Sequence, residues 1–136
     1  MLPALLAGIL GTTAACSGSD GERPAAGSGS AGTQPVEVTA SPGADGVQRV
    51  RIDGDDTFRF RPAVVHARTG RVEIELRTTG TTPHDLNFPR FAASVPHTPS
   101  GASRRAIFDV PQPGSYEFVC SYHAGAGMTG RLVVTS

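Results

Sequence analysis

The chain has 136 residues, enough for one domain around a single core, and twelve basic residues balance twelve acidic ones to leave it formally neutral. Every basic residue is an arginine, and with no overall positive excess the composition argues against nucleic-acid binding. Only two cysteines, two methionines and four histidines are present, and tryptophan is absent, so the positions of the metal-binding side chains carry information.

The first sixteen residues, MLPALLAGILGTTAAC, form an apolar run. It is shorter than the roughly 20 residues that span a bilayer and suits the apolar region of an export signal. Thr13, Ala14 and Ala15 stand directly before Cys16, and the stretch resembles the lipobox of bacterial lipoproteins, whose cysteine is lipidated and becomes the mature N-terminus. That resemblance implies an exported protein anchored through Cys16 to the outer face of the cell membrane. A secretory signal cut after Ala15, giving a periplasmic or secreted protein, and a buried apolar helix are the other readings. Residues 17–46 are dominated by Ser, Gly, Ala, Pro and Thr, which bury too little apolar surface to offset chain entropy. They are expected to be a flexible linker with a reach of about 25–30 Å. The short alternation Val36 to Thr39 allows a first strand before the domain proper, which is assigned to residues 47–136.

From Val47 onward, apolar and polar residues alternate with a period of two between turn residues, the pattern of half-buried strands in antiparallel sheets. The runs are Val47 to Asp53, Phe58 to Arg68, Arg71 to Arg77, Ala106 to Val110, Ser115 to Cys120 and Gly130 to Thr135. In the third of them Val72, Ile74 and Leu76 share one face and charges take the other. Asp53-Gly54, Thr69-Gly70, Thr79-Gly80, Pro99-Ser100-Gly101 and Pro113-Gly114 supply turns. Phe91 to Val95 is expected to form at most one helical turn. Seven or eight short strands predict an all-β fold, a Greek-key β-sandwich.

Near the end, Cys120-Ser121-Tyr122-His123-Ala124-Gly125-Ala126-Gly127-Met128 packs a thiol, an imidazole and a thioether into nine residues. A disulfide to Cys16 and a lone buried thiol are the plain readings of Cys120. The neighbours favour another: Cys120 ends a strand, Gly125 and Gly127 loosen the turn after it, and C-x2-H-x4-M can gather three donors around one point. A fourth donor must come from elsewhere, and His84, opening the strand-like run after Thr82-Pro83, is the best candidate. Two imidazoles, a thiolate and a thioether suit copper; zinc accepts Cys and two His but has little use for methionine. Four protein donors also leave no open position for substrate, so an enzyme is not expected. His66 reads as a surface or edge residue and His97 as a loop residue exposed to solvent. Asp53, Asp55 and Asp56 read as a solvated turn, since the further ligands of a calcium loop are missing.

The nonapeptide, with Thr129-Gly130 and Leu132-Val133-Val134 after it and Tyr116-Glu117-Phe118-Val119 before it, resembles the copper loop of plastocyanin-like cupredoxins, including pseudoazurin. The resemblance takes in Pro83-His84 and Phe60-Arg61-Pro62 and covers residues 47–136. It implies copper ligands His84, Cys120, His123 and Met128, and one copper ion cycling between Cu(I) and Cu(II). It further implies electron transfer through the exposed edge of His123, ringed by Pro83, Ala124 and Ala126. Asp85 stands where the family commonly has asparagine tying the two ligand segments together, and its carboxylate is expected to accept from Ser121. The implied protein is a monomeric blue-copper shuttle between extracytoplasmic redox partners; a copper-carrying or copper-buffering protein of the same fold is the alternative. Residues 47–136 hold eleven arginines against eight acidic residues, a balance that suits an acidic redox partner.

Overall fold

The structure, a computed structural model, describes residues 35–136. The export-signal reading of residues 1–16, lipidation of Cys16 and the part of the 17–46 linker reading that precedes residue 35 lie outside the described residues. One sheet runs in the order β1 (Glu37–Thr39), β5 (Val64–Arg68), β11 (Thr129–Thr135), β10 (Gly114–Val119), β7 (His84–Phe88), β8 (Ala93–Thr98). The second runs β2 (Ser41–Pro42), β3 (Gln48–Gly54), β6 (Gly70–Thr78), β9 (Ser103–Val110), with β4 (Phe60–Arg61) paired to β3. The chain passes repeatedly from one sheet to the other, forming an all-β Greek-key sandwich.

The alternation that predicts half-buried strands is realised in β6, where Val72, Ile74 and Leu76 are fully buried and Arg71, Glu73, Glu75 and Arg77 face outward. Across the core they meet Val65, Leu86, Val95, Phe118 and Leu132 of the first sheet, all 0 % exposed. Each such side chain contributes about 1.5–3 kcal/mol of burial. Rings of Phe60, Phe88 and Phe118 pack edge to face at centroid distances of 5.2–5.6 Å and fill the sandwich beneath the late loop.

Four sequence expectations change. The sheets are not wholly antiparallel: β3 pairs β6, and β5 pairs both β1 and β11, in parallel. Alternation reports that one face is buried and says nothing about the direction of the neighbouring strand. The expected Phe58 to Arg68 run divides into β4 and β5 at the cis Arg61–Pro62 peptide. The linker assigned to residues 17–46 ends earlier: β1, where the Val36 to Thr39 alternation allows a strand, pairs with β5, the unforeseen β2 pairs with β3, and Ala40 between them is buried. Finally, a turn covers 89–92, β8 begins at Ala93, and His97 therefore lies on a strand instead of a loop.

Candidate metal centre

The donors converge at one end of the sandwich, where β10 and β11 are joined by residues 120–128. This connection closes on itself. Cys120 N–H donates to Met128 O at 3.0 Å, Met128 N–H to His123 O at 3.2 Å, and His123 N–H to Cys120 O at 3.2 Å. A single 3-10 turn, Ala124–Ala126, follows His123 and ends at Gly127, whose left-handed backbone (φ 79°) favours glycine. Small side chains at 124–127 let the chain turn this tightly, with Cys120 and Met128 buried at the two ends of the loop.

His84 enters from the neighbouring strand β7, which meets β10 at the pair Asn87–Val119. It is fully buried, as are Cys120 and Met128, while His123 is partly exposed. Sγ of Cys120 lies 3.5 Å from His123 Nδ1 and 3.8 Å from His84 Nδ1, and one donor atom from each of the three residues falls within 4.8 Å of the others. These separations fit a shared ion. With metal–sulfur and metal–nitrogen bonds of about 2.3 and 2.0 Å, a near-trigonal site separates sulfur from nitrogen by about 3.7 Å. Met128 completes the set: the methyl end of its side chain and the His84 ring both border the Cα of Gly54. A Cβ on that glycine would stand 2.8 Å from His84 Cδ2 and 3.2 Å from Met128 Cε, so only glycine leaves both where they are.

Electrostatics prepare the histidine and guard the thiol. Burial, and secondarily the neighbouring His123, lower the proton affinity of His84, which keeps its imidazole neutral and able to bind a metal. Its Nε2 is buried and has no hydrogen-bond partner among the described residues. Burial pushes the Cys120 thiol up, with the main-chain N–H groups of Asp85 and Tyr122 opposing, so a metal must displace its proton.

Asp85 joins the two ligand segments. Ser121 N–H donates to its Oδ1 at 2.7 Å, and the Ser121 hydroxyl donates to Oδ2. Burial raises the Asp85 pKa, but hydrogen bonds from Ser121 and Asn87 outweigh it and leave the carboxylate ionised below its ordinary range. Pro83, immediately before His84, is half-buried, and Ala124 and Ala126 are exposed beside His123.

Several neighbours were not visible in the sequence. Phe58 stacks on the His123 ring with centroids 4.4 Å apart and planes 20° apart, and its backbone is left-handed (φ 56°). Such a conformation costs a non-glycine residue about 1 kcal/mol, which marks the contact as one the fold holds against strain. Tyr122 and His97, both exposed, share a hydrogen bond at 3.0 Å between the hydroxyl and Nδ1. Of the three aspartates expected in a solvated turn, Asp53 lies on β3, Asp55 pairs with Arg61 at 3.0 Å, and Asp56 accepts from the main chain of Thr81 and Thr82. His66 pairs with Glu37 at 2.8 Å and takes no part in the cluster.

The family model described as a cupredoxin-like domain matches residues 7–134. A relative, "Copper-resistant cuproprotein CopI" of Rubrivivax gelatinosus, is 31 % identical over 157 aligned positions that take in 97 % of this chain and 95 % of that protein. Among solved structures, the metal-binding domain of the Cu(I)-exporting P-type ATPase CopA of Streptococcus pneumoniae D39 superposes with a TM-score of 0.64 at 20 % identity. That match covers 75 % of this chain and 98 % of that domain. Oxidised plastocyanin from Dryopteris crassirhizoma gives 0.51 at 27 % identity, covering 63 % and 100 %. With a matching family model over nearly its whole length and a relative aligned end to end, the chain belongs to the cupredoxin-like domain family.

Proposed function

We propose that this protein holds one copper ion between His84 Nδ1, Cys120 Sγ, His123 Nδ1 and the Met128 thioether, and passes single electrons to and from protein partners outside the cytoplasm. One observation carries the reading: two buried donors and one partly exposed histidine, from strand β7 and the loop 120–128, converge at separations that a single ion bridges. Bound there, copper supplies a one-electron couple. The protein's share is to keep the donors in one geometry for both oxidation states, exclude water around Cys120 and His84, and present the His123 edge between Pro83, Ala124 and Ala126 to a partner. Four donors leave no position for a substrate, so no reaction at the metal is proposed. Export by the N-terminal segment, with anchoring at Cys16, belongs to the same proposal.

A copper-carrying or copper-buffering role is the second reading, favoured by the end-to-end relation to a protein named for copper resistance. Exchange separates the two. A shuttle retains its ion through repeated oxidation and reduction, whereas a carrier releases it to an acceptor protein. For either, copper(II) is added to reduced metal-free protein while visible absorption and electron paramagnetic resonance are recorded. An intense thiolate-to-copper band with a small hyperfine splitting supports the site; a colourless protein with an ordinary tetragonal copper signal overturns it.

A further inference from the structure

The segment leading into His84 contains no regular structure between the end of β6 at Thr78 and the start of β7 at His84. A buried ligand at the end of such a segment needs something to hold the approach. The hydrogen bonds show where that support comes from. Thr79 donates to Gly54 O through its N–H at 2.9 Å and through its hydroxyl at 3.2 Å. Ser100 Oγ donates to Gly80 O at 2.6 Å. The next two residues converge on one carboxylate: Thr81 N–H reaches both Asp56 oxygens at 2.9 Å, Thr81 Oγ1 donates to Oδ2 at 3.0 Å, and Thr82 N–H donates to Oδ1 at 2.9 Å. Gly80 makes room for this, since a Cβ there would overlap the Asp56 carboxylate.

We infer that Asp56 is a positioning residue for His84: from a turn that contributes no ligand, its carboxylate clamps the Thr81–Thr82 main chain and so sets where the imidazole two residues further on enters the metal site. Hydrogen bonds to an ionised acceptor are about twice as strong as neutral ones, and three donors on one carboxylate fix its orientation as well as its distance. The clamp complements Asp85, which ties His84's own strand to Ser121 from the other side. His84 is thus held on both flanks by carboxylates that are not themselves in the proposed donor set. The ligand role of His84 belongs to the copper reading above, so the test includes metal-free readouts.

The full chain is compared with Asp56→Ala, Gly80→Ala and the double variant, with Asp109→Asn on the exposed face of β9 as a control. In metal-free protein, amide exchange at Thr81 and Thr82 is expected to rise about tenfold in Asp56→Ala, and the His84 ring resonances to shift while the core signals stay put. In copper-loaded protein, release of copper to a chelator is expected to accelerate about tenfold and the hyperfine splitting to change. Gly80→Ala keeps the carboxylate but evicts it, so it should reproduce both effects, and the double variant should lose no more than either single one. Should Asp56→Ala fail to fold, Gly80→Ala decides the same point. Strictly additive losses, or a folded Asp56→Ala whose His84 ring signals match wild type, overturn the inference. A wild-type chain that stays colourless with copper would end the copper reading, and the metal-free ring signals would still decide whether Asp56 positions His84.

Discussion

Two segments bring donors to the metal centre, and they are held by different means. Residues 120–128 carry three donors and close through their own main chain, Cys120 to Met128 and His123 to both. His84 arrives alone, and its position depends on contacts from elsewhere: Gly54 beneath its ring, Asp85 bonded across to Ser121, and Asp56 holding Thr81 and Thr82. A locally closed loop tolerates damage outside itself. A ligand held by tertiary contacts is sensitive to residues that never meet the ion, and this contrast predicts where the site breaks first.

The largest effect lies inside the loop: Cys120→Ser should abolish the thiolate-to-copper band entirely, measured by visible absorption, while the sandwich still melts cooperatively. Next comes the tie between the segments. Asp85→Ala removes the acceptor for two Ser121 donors and is expected to accelerate copper loss about tenfold to a hundredfold, followed by chelator competition. Removing that anion should also raise the reduction potential, read by voltammetry. Gly54→Ala tests the wall beneath His84: overpacking of about 1–3 kcal/mol is expected from thermal unfolding, together with a changed hyperfine splitting. An unaltered copper spectrum in this variant would show that His84 has room the structure does not contain. Phe58→Leu should cost about 0.5–1.5 kcal/mol of stacking and loosen only the His123 ring, visible as faster ring dynamics by nuclear magnetic resonance. Met128→Leu is the mildest for binding: copper should stay, and the potential should rise because a weak electron-donating thioether has gone.

The same contrast explains what could be read from the sequence. Val72, Ile74 and Leu76 announce their burial because a strand's period is local, and the two-sheet architecture follows from several such runs. The nonapeptide is legible for a similar reason: its donors are neighbours in sequence and its glycines mark the turn. His84 could be named because few histidines are available and a strand-like run follows it. What held it could not. Asp56 sits 25 residues before Thr81, and a lone aspartate in a polar turn looks the same whether it faces water or a distant main-chain N–H. Phe58 shares the parity of Phe60 and therefore reads as one more core residue, yet its left-handed backbone turns it onto His123. His97 and Tyr122 likewise meet only through the strand β8, which the surrounding prolines disguise as a loop.

Convergence of a distant imidazole with the late loop on one copper ion is tested most directly by X-ray absorption at the copper edge of the loaded protein. One sulfur at about 2.2–2.3 Å and two imidazole nitrogens at about 2.0 Å, with one nitrogen lost in His84→Ala, is the predicted result. A shell of nitrogen and oxygen alone, or a spectrum indifferent to His84→Ala, would contradict it.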